Sequence, residues 1–224
     1  MLPGGHSDIT DVDANVKSLH PDAGVAWWLE WVRSTYGPYV AGLDTTPNPD
    51  TATQAHFEEQ GGVLCVEAEH YHEKHDRIPS GGSVLLHHWD VTTDGTGYAG
   101  ESFVTNLPDE RCESCTSPSS PRDNSGPELV YRIKVNTSGL YRVWVRGMSM
   151  GGESNGCHIG IDGVLPYNGP GSNISGFRPH NEWVWEHGYK DYSQEPNIYI
   201  TAGVHTLHLW GRDDGFRCDR ILLG

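Results

Sequence analysis

From Gly61 onward the apolar residues recur at every second position, and this constrains the fold more than any other feature of the chain. In "ELVYRIKV" Tyr131, Ile133 and Val135 fall on one side, with Arg132 and Lys134 on the other. "SGLYRVWVRG" follows after a turn and turns Tyr141, Val143 and Val145 inward. "CHIGIDG" does the same with Cys157, Ile159 and Ile161, and "GVHTLHLWG" with Leu207 and Leu209. "FRCDRILL" closes the chain. A period of two is a half-buried strand, and short strands separated by turns specify a sandwich or barrel. The 28 glycines and 14 prolines that supply those turns fit this better than a helical bundle.

Residues 1–60 read differently. "DAGVAWWLEWVRSTYG" places Val25, Trp28, Leu29 and Val32 at helical spacing, widened by Trp27 and Trp31 and stopped by Gly37-Pro38. The expected organisation is a helical appendage over 1–41, a Thr/Pro/Asp-rich linker over 42–60 and an all-β domain over 61–224, with the helix packed against the sandwich. The outward residues of the strands are unusual. Arg142, Trp144, Arg146, His158, His208 and Trp210 are all expected outside, which marks either a ligand cleft or the dock for the apolar helix.

A formal charge of −15 disfavours nucleic acid and anionic membranes as partners. No apolar run reaches the roughly 18 residues of a membrane span. "MLPGGHSD" has no signal-peptide pattern, so the expectation is an intracellular chain or a piece whose targeting segment lies elsewhere. Cys65, Cys157 and Cys218 read as buried thiols, while Cys112 and Cys115 sit in a Ser/Pro-rich loop. Asn136 and Asn173 head sequons of low information.

"VLCVEAEHYHEKHD", residues 63–76, gathers Glu67, Glu69, Glu73 and Asp76 with His70, His72 and His75. A metal site, an acid/base pair and a charged strand end all fit these letters. Glu67 and Glu69 point the same way if the strand is regular.

"VEAEHY", "TGYAGESFVTNLPD", "GLYRVWVRG", "NEWVWEH" and "AGVHTLHLWGRDDGFRCDRILL", in that order over residues 61–224, resemble the carbohydrate-binding modules of the family 6/35/36 type. The resemblance implies a galactose-binding-like β-sandwich, or jelly roll. It implies a structural calcium held by Glu67, Glu69 and Asp219, for which oxygen donors are the right chemistry; the histidines then belong to a solvated loop. It implies sugar stacking on a loop tryptophan, here Trp183 or Trp185, with a second aromatic from Tyr98 or Trp89. Arg217 stands where an asparagine is more usual, which suits a carboxylate or sulfate on the ligand, and Arg146 and Arg212 are further candidates for it.

The expected function is a non-catalytic, calcium-stabilised module that binds a polysaccharide or oligosaccharide as part of a larger secreted enzyme. No G-x-S-x-G, H-E-x-x-H or P-loop pattern is present. The alternatives are an assembly subunit that docks through its N-terminal segment, and a glycoside hydrolase or polysaccharide lyase, since paired carboxylates also serve glycosidases.

Overall fold

The computed structural model describes residues 56–79, 83–111, 126–164, 173–188 and 197–224. The expected helix over 24–35 lies outside them. The described strands are β1 (Phe57–Glu58), β2 (Leu64–Glu67), β3 (Glu73–His75), β4 (His88–Thr92), β5 (Phe103–Leu107), β6 (Glu128–Val135), β7 (Gly139–Met148), β8 (Gly156–Ile161), β9 (Asn173–Ser175), β10 (Val184–Glu186), β11 (Asn197–Ile200), β12 (Gly203–Gly211) and β13 (Arg217–Leu223).

They form a six-stranded and a seven-stranded sheet. The first runs β1-β6-β12-β8-β9, with β3 also on β6. The second runs β10-β7-β13-β5-β4, with β2 also on β13 and β11 also on β7. The fold is therefore the all-β sandwich that the alternation requires. Its first strand begins earlier than Gly61: Phe57 and Glu58 pair in parallel with Ile133 and Lys134, inside the stretch read as linker.

The two inner faces meet in one core. Tyr131, Ile133, Leu207, Leu209, Cys157 and Ile159 of one sheet face Val143, Val145, Val104, Val66, Cys218 and Ile221 of the other, and none is more than 1% exposed. Burial of each large apolar side chain contributes about 1.5–3 kcal/mol before chain entropy is charged against it. Trp89 belongs here too: it is 1% exposed and its indole N–H donates to the Pro127 carbonyl at 3.1 Å. It is a core residue and takes no part in a ligand site.

The outward residues divide between the sheets. Arg142, Trp144 and Arg146 project from β7 in the seven-stranded sheet, whereas His158, His208 and Trp210 project from β8 and β12 in the six-stranded one. They do not make one surface. On the six-stranded side His208 stacks on Trp210 with ring centroids 5.0 Å apart, and its Nδ1 lies 2.6 Å from Glu128.

In β13 the core residues Cys218 and Ile221 are three apart, not two, because the register shifts between Cys218 and Arg220. This bulge leaves Asp219 and Arg220 both on the outer side of the sheet, where regular alternation would have turned one of them into the core. The candidate site is built around that irregularity.

Candidate functional site

Two groups of side chains adjoin on the outer face of the seven-stranded sheet. The first is a set of carboxylates. β2 pairs antiparallel with β13 and sets Glu67 opposite Arg220. Arg220 Nε donates to Glu67 Oε2 at 2.9 Å and its second nitrogen to Oε1, a two-pronged ion pair. Asp219, fully buried, accepts from Arg146 and from the Ala99 amide at 3.1 Å. Burial raises the Asp219 carboxyl above its ordinary value, and the Arg146 charge and hydrogen bond partly offset this.

Glu69 is the odd member. It is 5% exposed, and neither oxygen completes a hydrogen bond of regular geometry. Burial pushes its carboxyl up to about 8; the backbone amides of Glu69 and Ser102 lie near enough to pull it down somewhat, while Glu67 and Asp219 push it further up. Glu67 and Glu69 face the same glycine: a side-chain carbon on Gly100 would sit 3.4 Å from an oxygen of each, and φ there is +68°. The pair fits a hard cation, since an orphaned buried carboxylate with a second carboxylate beside it is the donor chemistry such an ion takes. Asp219 is engaged by Arg146 and joins a coordination shell only if that pair opens. Among the described residues no three His, Cys, Asp or Glu side chains are grouped so that they hold one ion. The histidines disperse: His72 accepts from the Arg132 amide at 3.1 Å and packs edge-on against Phe57, and His75 lies 3.7 Å from Glu73.

The second group is aromatic. Phe103, fully buried on β5, is its hub. Tyr98 lies against it with centroids 5.2 Å apart and Trp183 meets it edge-on at 5.0 Å. Arg217 rests over the Phe103 ring at 5.4 Å and Arg146 over Trp183 at 5.6 Å. The loop 93–100 wraps this cluster. Its Thr96 carbonyl accepts the Trp183 indole N–H at 3.0 Å and its Gly97 carbonyl accepts Arg146 at 2.8 Å. Gly97 needs its φ of +82°, and the space as well, because a side-chain carbon there would lie 3.3 Å from the Trp183 ring.

Of the residues read from the sequence as ligand contacts, Tyr98, Trp183, Arg146 and Arg217 come together here, and Glu67, Glu69 and Asp219 adjoin them. Trp185 and Arg212 do not join them at the surface. Trp185 shares Trp183's side of the strand but is 5% exposed, too enclosed to stack on a sugar. Arg212 is 6% exposed and pairs with Asp213, so it serves the interior of the "GRDDG" turn. Arg146 is spent on Asp219 and Gly97, which makes it a support of the loop. Phe103 was not singled out from the sequence. Its signal was there in "SFVTNL", where Val104 faces the core and Phe103 therefore faces outward.

A two-sheet β-sandwich with an aromatic and arginine cluster beneath a glycine-rich loop is the class of domain that these features define. The chain belongs to the family of the glycosyl hydrolase family 115 C-terminal domain, whose model matches residues 56–224. It is 28% identical over 222 residues to a protein of Formosa agariphila known as uncharacterized protein P23, covering 87% of this chain and 52% of that one. The chain thus spans about half the length of that relative. Similar solved structures include a family 35 carbohydrate-binding module from Clostridium thermocellum, with TM-score 0.46 and 14% identity over 72% of this chain and 96% of that one. They also include the C-terminal family 6 module of the laminarinase LamC from Zobellia galactanivorans, with TM-score 0.45 and 16% identity over 72% and 98%. No helix among the described residues is long and apolar enough to cross a membrane.

Proposed function

We propose that this domain binds carbohydrate, without catalysing a reaction itself, as part of a longer extracellular protein that acts on polysaccharide. The observation that carries the reading is the Tyr98–Phe103–Trp183 cluster: two partly exposed aromatic rings braced on a buried third, at the mouth of a loop that hydrogen bonds hold in place. Apolar ring faces beside fixed polar groups are the chemistry that takes the C–H face of a sugar and its hydroxyls. Membership of a glycosyl hydrolase domain family supports a glycan as the ligand.

Calcium is the second part of the proposal. Glu67 and Glu69 would hold it, with Asp219 beside them, and the ion would supply positive charge to a buried carboxylate that has no cation of its own. Its role would be structural.

Titration calorimetry of the full chain against a panel of soluble polysaccharides tests the carbohydrate reading. A stacked aromatic is worth about 0.5–1.5 kcal/mol, so Trp183→Ala and Tyr98→Ala are each expected to weaken binding about two- to tenfold. Affinity unchanged in both variants would move the site elsewhere.

A further inference from the structure

The arginines of this face divide by what they touch. Arg146 pairs with Asp219 and Arg220 with Glu67, and at the neighbouring turn Arg212 pairs with Asp213. Each of those guanidiniums is neutralised inside the fold. Arg217 is different. It is partly buried, it lies over the Phe103 ring at 5.4 Å, and no carboxylate among the described residues reaches it. The chain carries 30 acidic residues against 15 basic ones, so a partly buried arginine left with only an aromatic face stands out.

The strand register adds a second observation. Arg217 on β13 lies opposite Thr105 on β5. Thr105 is 8% exposed and its hydroxyl is buried with no hydrogen-bond partner. A buried hydroxyl without a partner costs free energy unless something fills the gap, and it can donate as readily as accept. The acid on the next strand of the same face is Asp90, opposite Thr105, and it is engaged by His88 at 3.3 Å and Lys74 at 3.5 Å. A guanidinium and a hydroxyl donor therefore stand side by side with their donor capacity unspent, next to the rings of Tyr98 and Phe103.

We infer that Arg217, with Thr105 beside it, receives an anionic substituent of the bound glycan, a carboxylate or a sulfate ester. This rests on the carbohydrate reading above and narrows it to acidic polysaccharides. Both substituents are planar or trigonal arrays of oxygen that a guanidinium meets with two parallel donors. The ring under Arg217 fixes the plane of its fork and limits the entropy lost on binding. Trp183 and Tyr98 would take the sugar face, and Arg217 would decide which sugars are accepted.

The test uses the full chain and two matched pairs of polymers. One pair is polygalacturonate and its carboxyl-reduced form; the other is a sulfated galactan and its desulfated form. Each is titrated at low and high sodium chloride. The expected result is that one acidic polymer binds, that its binding weakens as salt rises, and that its neutral counterpart binds at least about tenfold more weakly. Arg217→Gln should remove that preference while leaving neutral binding as it was. Which pair shows the preference distinguishes carboxylate from sulfate. Equal binding of acidic and neutral members, or a salt-independent affinity in the unaltered protein, overturns the assignment to Arg217 and leaves the carbohydrate reading intact. Failure to bind any of the four polymers, or any of a wider neutral panel, overturns both. The salt dependence is read on the unaltered chain, so the test does not hang on the variant's folding.

Discussion

Replacing Glu69 by glutamine should make the metal-free protein more stable at alkaline pH, because the ionised carboxylate is held where nothing compensates it. Glu69 is 5% exposed, and burial raises its carboxyl from an ordinary 4.5 to about 8. The sign follows from proton counting. Between those two values the folded state holds a proton that the unfolded chain has lost, so stability falls as pH rises from 4.5 toward 8 and levels off beyond it. At ~1.4 kcal/mol per pH unit the full penalty is about 5 kcal/mol, a ceiling that relaxation of the pocket and entry of water reduce. Glutamine keeps the shape and carries no charge. Urea unfolding in excess chelator, on both proteins from pH 5 to pH 9, measures the difference. The two stabilities should be close at pH 5 and should separate by a few kcal/mol at pH 9, with the glutamine variant the more stable. Parallel pH profiles would refute the reasoning about the buried charge. Calcium added at pH 8 should then raise the stability of the unaltered protein and not that of the variant, since binding only the folded state stabilises it by RT ln(1 + [L]/Kd). No response to calcium in either protein removes the cation and leaves the titration standing.

Two predictions concern the core and the opposite sheet. Gly147→Ala would drive a carbon to 2.8 Å from Phe177 and 2.9 Å from Phe216, both fully buried, and should cost about 1–3 kcal/mol; an unchanged melting temperature would count against the packing described. Glu128 is buried, which by itself raises its carboxyl, but the His208 hydrogen bond and charge and the Arg77 pair outweigh this and bring it below its ordinary 4.5. It therefore stabilises the fold above that value and loses the contribution as pH falls through the lowered one. Glu128→Gln should be less stable than the unaltered protein at pH 7, with a gap that closes below about pH 4; a constant gap in acid unfolding curves would contradict the pairing.

The strands and their inner faces were legible because a period of two is a local signal: Tyr131, Ile133, Val143, Val145, Leu207 and Leu209 all face the core as their alternation requires. Sheet membership was not. Trp144 and Trp210 are both outward by the same pattern, yet they belong to different sheets, since which strand pairs with which is settled by contacts far apart in sequence. The same limit applies to Trp183 and Trp185. Two tryptophans two apart share a side of a strand, but only the surrounding loops decide that one is partly open and the other enclosed. Trp89 and Arg212 show the converse case. An indole with a carbonyl to meet and a guanidinium with an aspartate to meet can both be buried, so polarity alone did not mark them as surface groups. The bulge at Asp219 was readable in principle: "CDRI" separates two core residues by two polar ones, which no regular strand allows.

Arg146 joins the carboxylate group to the aromatic one. One of its nitrogens meets Asp219, another meets the Gly97 carbonyl, and its guanidinium lies over Trp183. Asp219 also takes the Ala99 amide, and Trp183 gives its indole N–H to Thr96, so the loop 96–99 hangs from the carboxylate end by two bonds and is tied to the tryptophan by a third. Arg220 balances Glu67, so two of the three carboxylates are matched within the chain and Glu69 alone is left over. A cation bound at Glu69 and Glu67 would sit beside Gly100, the residue that ends this same loop. The consequence is mechanical. Whatever stabilises the carboxylates in their present positions also holds Tyr98 and Trp183 at the spacing set by Phe103, and a sugar arriving between those rings meets a surface already ordered. An arginine in this position is worth more as a brace than as a ligand contact, because freeing its guanidinium for a sugar would release the loop that presents the rings.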